Sequence, residues 1–229
     1  MDLVYALRTT GAVRDFVDEP IADEVIYRVL DNARFAPSGG NRQGWRVVVV
    51  RDPDIRRQLR DLYLPGWYEY LSMRAAGLTP FAPLTDDVAE QRALEGAPDI
   101  AKATARTGGG FAEHLDEVPV LLVLLADLRV LAALDKELSR YSMAGGASVY
   151  PFAWSVLLAA RAEGLAGVIT TMPIRREDEV KALLDVPDEY ALAAVLALGR
   201  PVHQLRRLTR NAVESFATVD RFTGREFHA

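Results

Sequence analysis

Residues 34–50 read RFAPSGGNRQGWRVVVV, and the course of the chain follows from how this stretch is parsed. It joins the end of an amphipathic segment, a Pro37, Ser38, Gly39, Gly40 turn, a short polar run of Asn41, Arg42 and Gln43, and the four valines 47–50. Pro37 cannot continue a helix, and Gly39 and Gly40 free the backbone for conformations that a Cβ forbids. The chain therefore turns sharply there. The turn offers backbone N–H groups and small polar side chains just ahead of a strand that reads as fully buried. Such an arrangement suits a planar, acceptor-rich ligand; an ordinary helix-to-strand loop is the alternative that these residues leave open.

Upstream, residues 3–7 read as a short helix. Ile26, Val29, Leu30 and Ala33 keep helical spacing behind the acids Asp23 and Glu24, which predicts a helix over 22–35. Downstream, Asp52, Pro53 and Asp54 start a helix through Tyr63. Leu64, Pro65 and Gly66 read as a break, with a further helical stretch over 67–76 and a second break at 80–83. A weakly helical run over 86–105 ends at Gly108, Gly109 and Gly110. Residues 64–117 thus read as a mobile excursion and candidate lid, with a helical cover over one side of the core as the alternative. Residues 118–126 (VPVLLVLLA), 165–171 and 190–198 (YALAAVLAL) read as strands, separated by a central helix over 145–163 and another over 175–184. The tail, 202–229, has no strong period and reads as an extended arm. Strands separated by helices indicate an α+β or α/β sandwich around one sheet.

The 229 residues suffice for one sizeable core, and one domain over 1–229 is expected. Half the residues are hydrophobic, and the net charge is −5, which argues against nucleic acid or an anionic membrane as the main partner. The longest apolar runs are too short to span a bilayer. No secretory signal is visible at the start, so a cytoplasmic location is expected. With no cysteine there is no disulfide framework and no thiolate nucleophile.

Common chemistries find little support. There is no Walker-type phosphate loop and no G-x-G-x-x-G between a strand and a helix. The three histidines, His114, His203 and His228, have no metal-ligand spacing, so no metal site is expected. Ser38 lacks the context of a nucleophile elbow. Asp86, Asp87 and Glu90 read as solvated acids at a helix start, and His114 reads as a surface histidine. What remains coherent is Arg14, the turn at Pro37, Ser38 and Asn41, a strand end at Thr170, Thr171 and Met172, and Arg206, Arg207 and Arg210 in the tail. Arginine forks match phosphate oxygens, and an electron-accepting heterocycle needs cations and N–H donors where negative charge gathers. Together these residues begin to describe a flavin mononucleotide (FMN) site.

Five blocks in this order, residues 9–16 (TTGAVRDF), 33–50, 157–173 (LLAARAEGLAGVITTMP), 186–201 (VPDEYALAAVLALGRP) and 205–216 (LRRLTRNAVESF), resemble the FMN-dependent nitroreductase family over nearly the whole length. The resemblance implies an α+β three-layer sandwich with a central, mostly antiparallel sheet flanked by helices. It also implies a homodimer with FMN sites at the interface and a C-terminal arm over the partner. Position by position, Arg14 matches the basic residue that contacts the flavin, and Pro37, Ser38, Asn41 and Gln43 match the segment along the ring and ribityl chain. Thr170, Thr171 and Met172 match the stretch beside N5 and the pyrimidine edge, and Arg210 matches the phosphate-binding tail residue. The implied activity is ping-pong: NADH or NADPH delivers a hydride to flavin N5, and an electron-poor nitro-aromatic, quinone or similar compound then takes it, with no side chain as nucleophile. A specialised dehydrogenase or reductive dehalogenase, or a flavin-storage protein, is the alternative. Two departures stand out: Gly11 occupies the place of the family's leading arginine, with Arg8 as a substitute, and Met172 offers N5 only its backbone, which leans towards hydride chemistry.

Overall fold

The computed structural model describes residues 2–228. Its centre is a four-stranded sheet in the order β1-β2-β4-β3, with β1 at Trp45–Val50, β2 at Val120–Asp127, β3 at Ala166–Thr170 and β4 at Tyr190–Gly199. All three pairings are antiparallel. The inner strands have every residue from Val120 to Ala126 and from Leu192 to Gly199 buried, as their unbroken apolar runs require.

Side-chain alternation sends Val120, Leu122, Leu124 and Ala126 to one face and Leu121, Val123 and Leu125 to the other. On the first face they meet Ile26, Val29 and Ala33 of α2 (Asp23–Ala33) and Phe152, Val156 and Ala160 of α6 (Tyr150–Ala162). On the second they meet Leu59 and Tyr63 of α3 (Pro53–Ala75) and Val180 of α7 (Glu177–Leu183). A register shift between Leu124 and Leu125 puts both Ala193 and Ala194 of β4 on the first face. The hydroxyl of Tyr150 donates to the Ala193 carbonyl at 3.2 Å.

Two expectations are corrected. Residues 47–50 were to form a fully buried strand, but β1 lies at the sheet edge and only Val50 is buried. Four valines state that a strand forms there; they do not state how many neighbours it has. The break expected at Leu64, Pro65 and Gly66 is absent, because α3 runs unbroken from Pro53 to Ala75. A proline inside a helix costs about 3 kcal/mol. Burial of Leu59, Tyr63 and Met73 on either side offsets it, and Gly66 admits the Met172 carbonyl, which would lie 2.9 Å from a Cβ there.

Residues 87–106 fold as α4 (Asp87–Leu94) and α5 (Ala97–Arg106). Both helices pack on α3, with Ser72 donating to the Ala93 carbonyl. Asp86 caps α4 by accepting from the Val88 and Ala89 N–H groups, which accounts for that acidic cluster. At the N-terminus, α1 (Leu3–Thr9) is capped by Asp2, and the chain then joins the β3 edge through a parallel bridge between Ala12 and Gly167. Among the described residues, the tail beyond Pro201 forms no helix apart from a short 3-10 turn at Val213–Ser215. Leu205 and Leu208 press on Gly11, where a Cβ would approach them to 2.9 and 2.8 Å.

Among the described residues no helix is long and apolar enough to cross a membrane, and no cluster of three potential metal ligands occurs.

Gly167 joins the N-terminal segment to the sheet at a point of no clearance: a Cβ would lie 2.4 Å from the Ala197 carbonyl. Gly167→Ala is expected to lower stability by about 1–3 kcal/mol, read as an earlier urea midpoint with an unchanged slope.

Candidate functional site

The candidate residues divide between two edges of the sheet. At the β3 edge, the Val13 N–H donates to the Gly167 carbonyl at 2.9 Å and so carries Arg14 alongside the strand. Thr170, at the end of β3, donates from Oγ1 to the Tyr63 hydroxyl at 3.3 Å. Burial raises the Tyr63 pKa above that of a free phenol, while the bond from Thr170 and the nearby charge of Arg14 oppose the rise. Arg14, Tyr63 and Thr170 therefore form one electrostatic group. Thr171 leads into the 3-10 turn Met172–Arg176, whose first carbonyl faces Gly66 of α3.

Arg14 also lines a cavity of about 700 Å³, together with Phe16, Asp18, Gly110, Phe111 and His114. Phe111 meets Tyr63 edge-on at 6.5 Å, Tyr63 lies 6.4 Å from Trp67, and Trp67 stacks on Tyr70 at 5.3 Å. An aromatic wall thus leads from the cavity along α3. Its residues are scattered over 63–111, and no motif or periodicity in the sequence groups them. Tyr68 is pushed up to about 12, by burial first and by Glu113 second.

His114 is half exposed, as a surface histidine should be, but its ring is gripped on both sides. Nε2 lies 2.9 Å from the Gly108 carbonyl, and Nδ1 lies 3.1 Å from Glu117 Oε1. The carbonyl, then Glu117, raise its pKa by favouring the charged ring. The glycine run beside it is held by Glu113, which accepts from the Gly110 N–H at 2.7 Å. Gly109 has a φ of 75°, where any side chain would be strained.

A groove between α1 and the tail, also about 700 Å³, is lined by Arg8, Arg206, Arg207 and Arg210. None of these four, nor Arg14, pairs with a carboxylate among the described residues, although the chain carries a net charge of −5. Gly11 is what lets the tail lie close enough to build this groove. Arg8, the expected substitute for the arginine missing at that position, is one of the arginines lining this groove.

At the β1 edge, the turn before the strand is a 3-10 turn at Gly39–Asn41 with φ values of 61° at Gly40 and 53° at Asn41. Ser38 Oγ accepts from the Gln43 N–H at 3.0 Å, and the Gln43 amide donates to Asn41 Oδ1 at 3.2 Å. Pro37, Asn41 and Gln43 stay exposed. In sheet register Val48, Val123, Val195 and Thr170 form one row, so this turn and the end of β3 lie at the same end of the sheet. They sit at opposite edges, three strand spacings or roughly 14 Å apart. One chain does not bring the two groups together.

The donor set fits FMN in kind: unpaired guanidinium groups for a phosphate, exposed amide and N–H donors for an acceptor-rich ring, and an aromatic wall for a planar reactant.

The nitroreductase family model matches residues 7–200. Rat iodotyrosine deiodinase 1 is 27% identical over 207 residues, which make up 88% of this chain and 65% of that protein. The chain spans less than two thirds of the deiodinase relatives' length. An NADH dehydrogenase of Thermus thermophilus is 30% identical over 212 residues, 89% of each protein. Among solved structures, oxidized iodotyrosine deiodinase bound to FMN and 3-iodo-L-tyrosine superposes with a TM-score of 0.63 at 23% identity, over 96% of this chain and all of that one.

The grip on His114 depends on its charge. Its folded-state pKa is raised, so the clasp is intact below about pH 6.5 and loosens as pH rises through the folded value. Amide exchange at Gly108 and Gly110, corrected for intrinsic rate, is expected to step up across that range in the wild type and to show no step in His114→Ala. A histidine titrating at or below its ordinary value would contradict the geometry.

Proposed function

Because the chain belongs to the nitroreductase family of flavoprotein oxidoreductases, we propose that it binds FMN, draws electrons from NADH or NADPH, and reduces an electron-poor small molecule such as a nitro-aromatic or a quinone. The observation that carries this reading is the set of five arginines, Arg8, Arg14, Arg206, Arg207 and Arg210, that line two cavities and form no ion pair among the described residues. Cations without an ion-pair partner suit a ligand that brings its own negative charge. Relatives named as an NADH dehydrogenase and a structure holding FMN support the same cofactors. FMN, when bound, would supply the redox chemistry, as carrier of a hydride from the nicotinamide donor to the acceptor.

The chain's own residues hold and orient the reactants. Arg210, with Arg206, Arg207 and Arg8, grips the phosphate. Arg14 would set a positive charge near the ring, and the backbone from Thr170 to Met172 would offer it N–H and carbonyl groups. Met172 has no hydroxyl to offer, which favours transfer of electrons as a pair. Phe111, Tyr63 and Trp67 exclude water from the side where a planar acceptor lies.

The chain works, in this reading, as a homodimer over a single domain, 1–229. A second copy supplies Pro37, Ser38, Asn41 and Gln43, which the first copy holds at the wrong edge of its sheet. Phe216 and Phe222, 72% and 97% exposed, suit an arm of residues 202–229 that lies against the partner.

A second reading, reductive dehalogenation of an aromatic substrate, is favoured by the stacked Trp67 and Tyr70 and by the deiodinase relatives. An anaerobic panel of a nitroarene, a quinone and a halophenol separates the two.

The purified protein is expected to show flavin absorption that bleaches on anaerobic addition of NADH or NADPH. A colourless protein that takes up no added FMN would sink the proposal. Arg210→Ala should weaken FMN about 10- to 100-fold while leaving riboflavin, which lacks the phosphate, nearly unchanged. Sedimentation should give about twice the 25.2 kDa chain mass, and a monomer that binds FMN fully would overturn the shared site.

A further inference from the structure

Residues 128–149, between β2 and α6, contain none of the candidate site residues, yet they hold the one charged side chain among the buried residues described, Asp135, at 5% exposure. Its carboxylate accepts from Arg140 Nη1 at 2.8 Å, Ser142 Oγ at 2.8 Å, the Met143 N–H at 2.6 Å and the Ala144 N–H at 3.1 Å. With donors on every side, the carboxyl stays far below the usual carboxylate range, the Met143 N–H contributing most and Arg140 next. The charge therefore serves as a fixed anchor for residues 140–144.

The anchored segment leads straight to the turn at the β1 edge. Ala144 opens the 3-10 turn Ala144–Ser148, and Ser148 Oγ accepts from the Gly39 N–H at 3.0 Å. The other end of the loop touches the same turn: the Arg42 guanidinium donates to the Val130 carbonyl at 3.4 Å, and a Cβ on Gly39 would lie 3.7 Å from that of Ala132. Pro37, Asn41 and Gln43 are exposed and have little packing of their own. Their placement leans on what lies behind them.

We propose that Asp135 is a positioning residue for the flavin-facing turn: it fixes residues 142–144, these set Ser148, and Ser148 holds Gly39 and so aims the donors of Ser38, Asn41 and Gln43. This rests on the FMN reading given above. Asparagine cannot take over the role, because its amide end would point N–H groups at neighbours that are themselves donors.

The test is a double-mutant cycle on FMN and riboflavin dissociation constants, with Asp135→Asn, Ser148→Ala and the pair. Each single change is expected to weaken both ligands by the same factor, about tenfold, because the turn faces the ring they share. The double variant should be no weaker than Asp135→Asn within about twofold, and the visible band of bound flavin should shift in both singles, a signature that loss of stability alone does not produce. If the two losses multiply, or if Asp135→Asn lowers the melting temperature while leaving affinity and band unchanged, Asp135 is only a staple of its loop. Should Asp135→Asn not fold, Ser142→Ala, which removes one donor without burying a new group, replaces it in the cycle with the same expected coupling. A wild-type protein that binds neither ligand would instead defeat the FMN reading itself.

Discussion

The rest of the structure depends on β2 being apolar and buried on both of its faces. From Val120 to Ala126 no side chain reaches water, and each of the two hydrophobic clusters takes alternate residues of this strand. A strand of that kind cannot stand at an edge or face solvent, so helices must cover both sides and other strands must flank it. It also leaves no place for a polar group inside the sheet, where an unsatisfied donor or acceptor would cost several times what a hydrogen bond contributes. Chemistry is thereby displaced to the edges and ends, which is where Arg14, Thr170 and Ser38 are found.

That displacement explains which parts of the molecule could be read in advance. The runs VPVLLVLLA and YALAAVLAL declare inner strands through composition alone, and the apolar surround of α6 declares a central helix. Pro37, Gly39 and Gly40 declare a turn by local chemistry, and the turn is there. Pro65 misled because its cost is local while its compensation is tertiary, coming from Leu59, Tyr63 and Met73 against the core. The valines of β1 misled for a related reason, since burial is a property of neighbours and not of a tetrapeptide.

The site was legible as a set of residue types and blind as an arrangement. Nothing in the sequence says that Arg8 and Arg206 have no ion-pair partner among the described residues while Arg28 has Glu163 and Arg175 has Glu69. Asp135 gave no signal, because an acid in a loop is ordinarily solvated and its donors lie five to nine residues further on. His114 was read as a surface residue, and half exposed it is; the clasp to Gly108 and Glu117 is a matter of loop geometry.

The same geometry bears on Gly11. An arginine there would place its Cβ against Leu205 and Leu208 and push the tail away. With glycine the tail closes on the N-terminal segment and brings Arg206, Arg207 and Arg210 to the groove beside Arg8. Several like charges in one groove repel one another; Asp2, which lines the same groove, offsets part of that repulsion, and a bound anion would offset more. In the proposed function, a phosphate held in this groove would favour the closed tail, and the closed tail would favour the phosphate. In the proposed dimer that tail continues over the partner, so occupancy of the phosphate groove and strength of the subunit contact draw on the same residues.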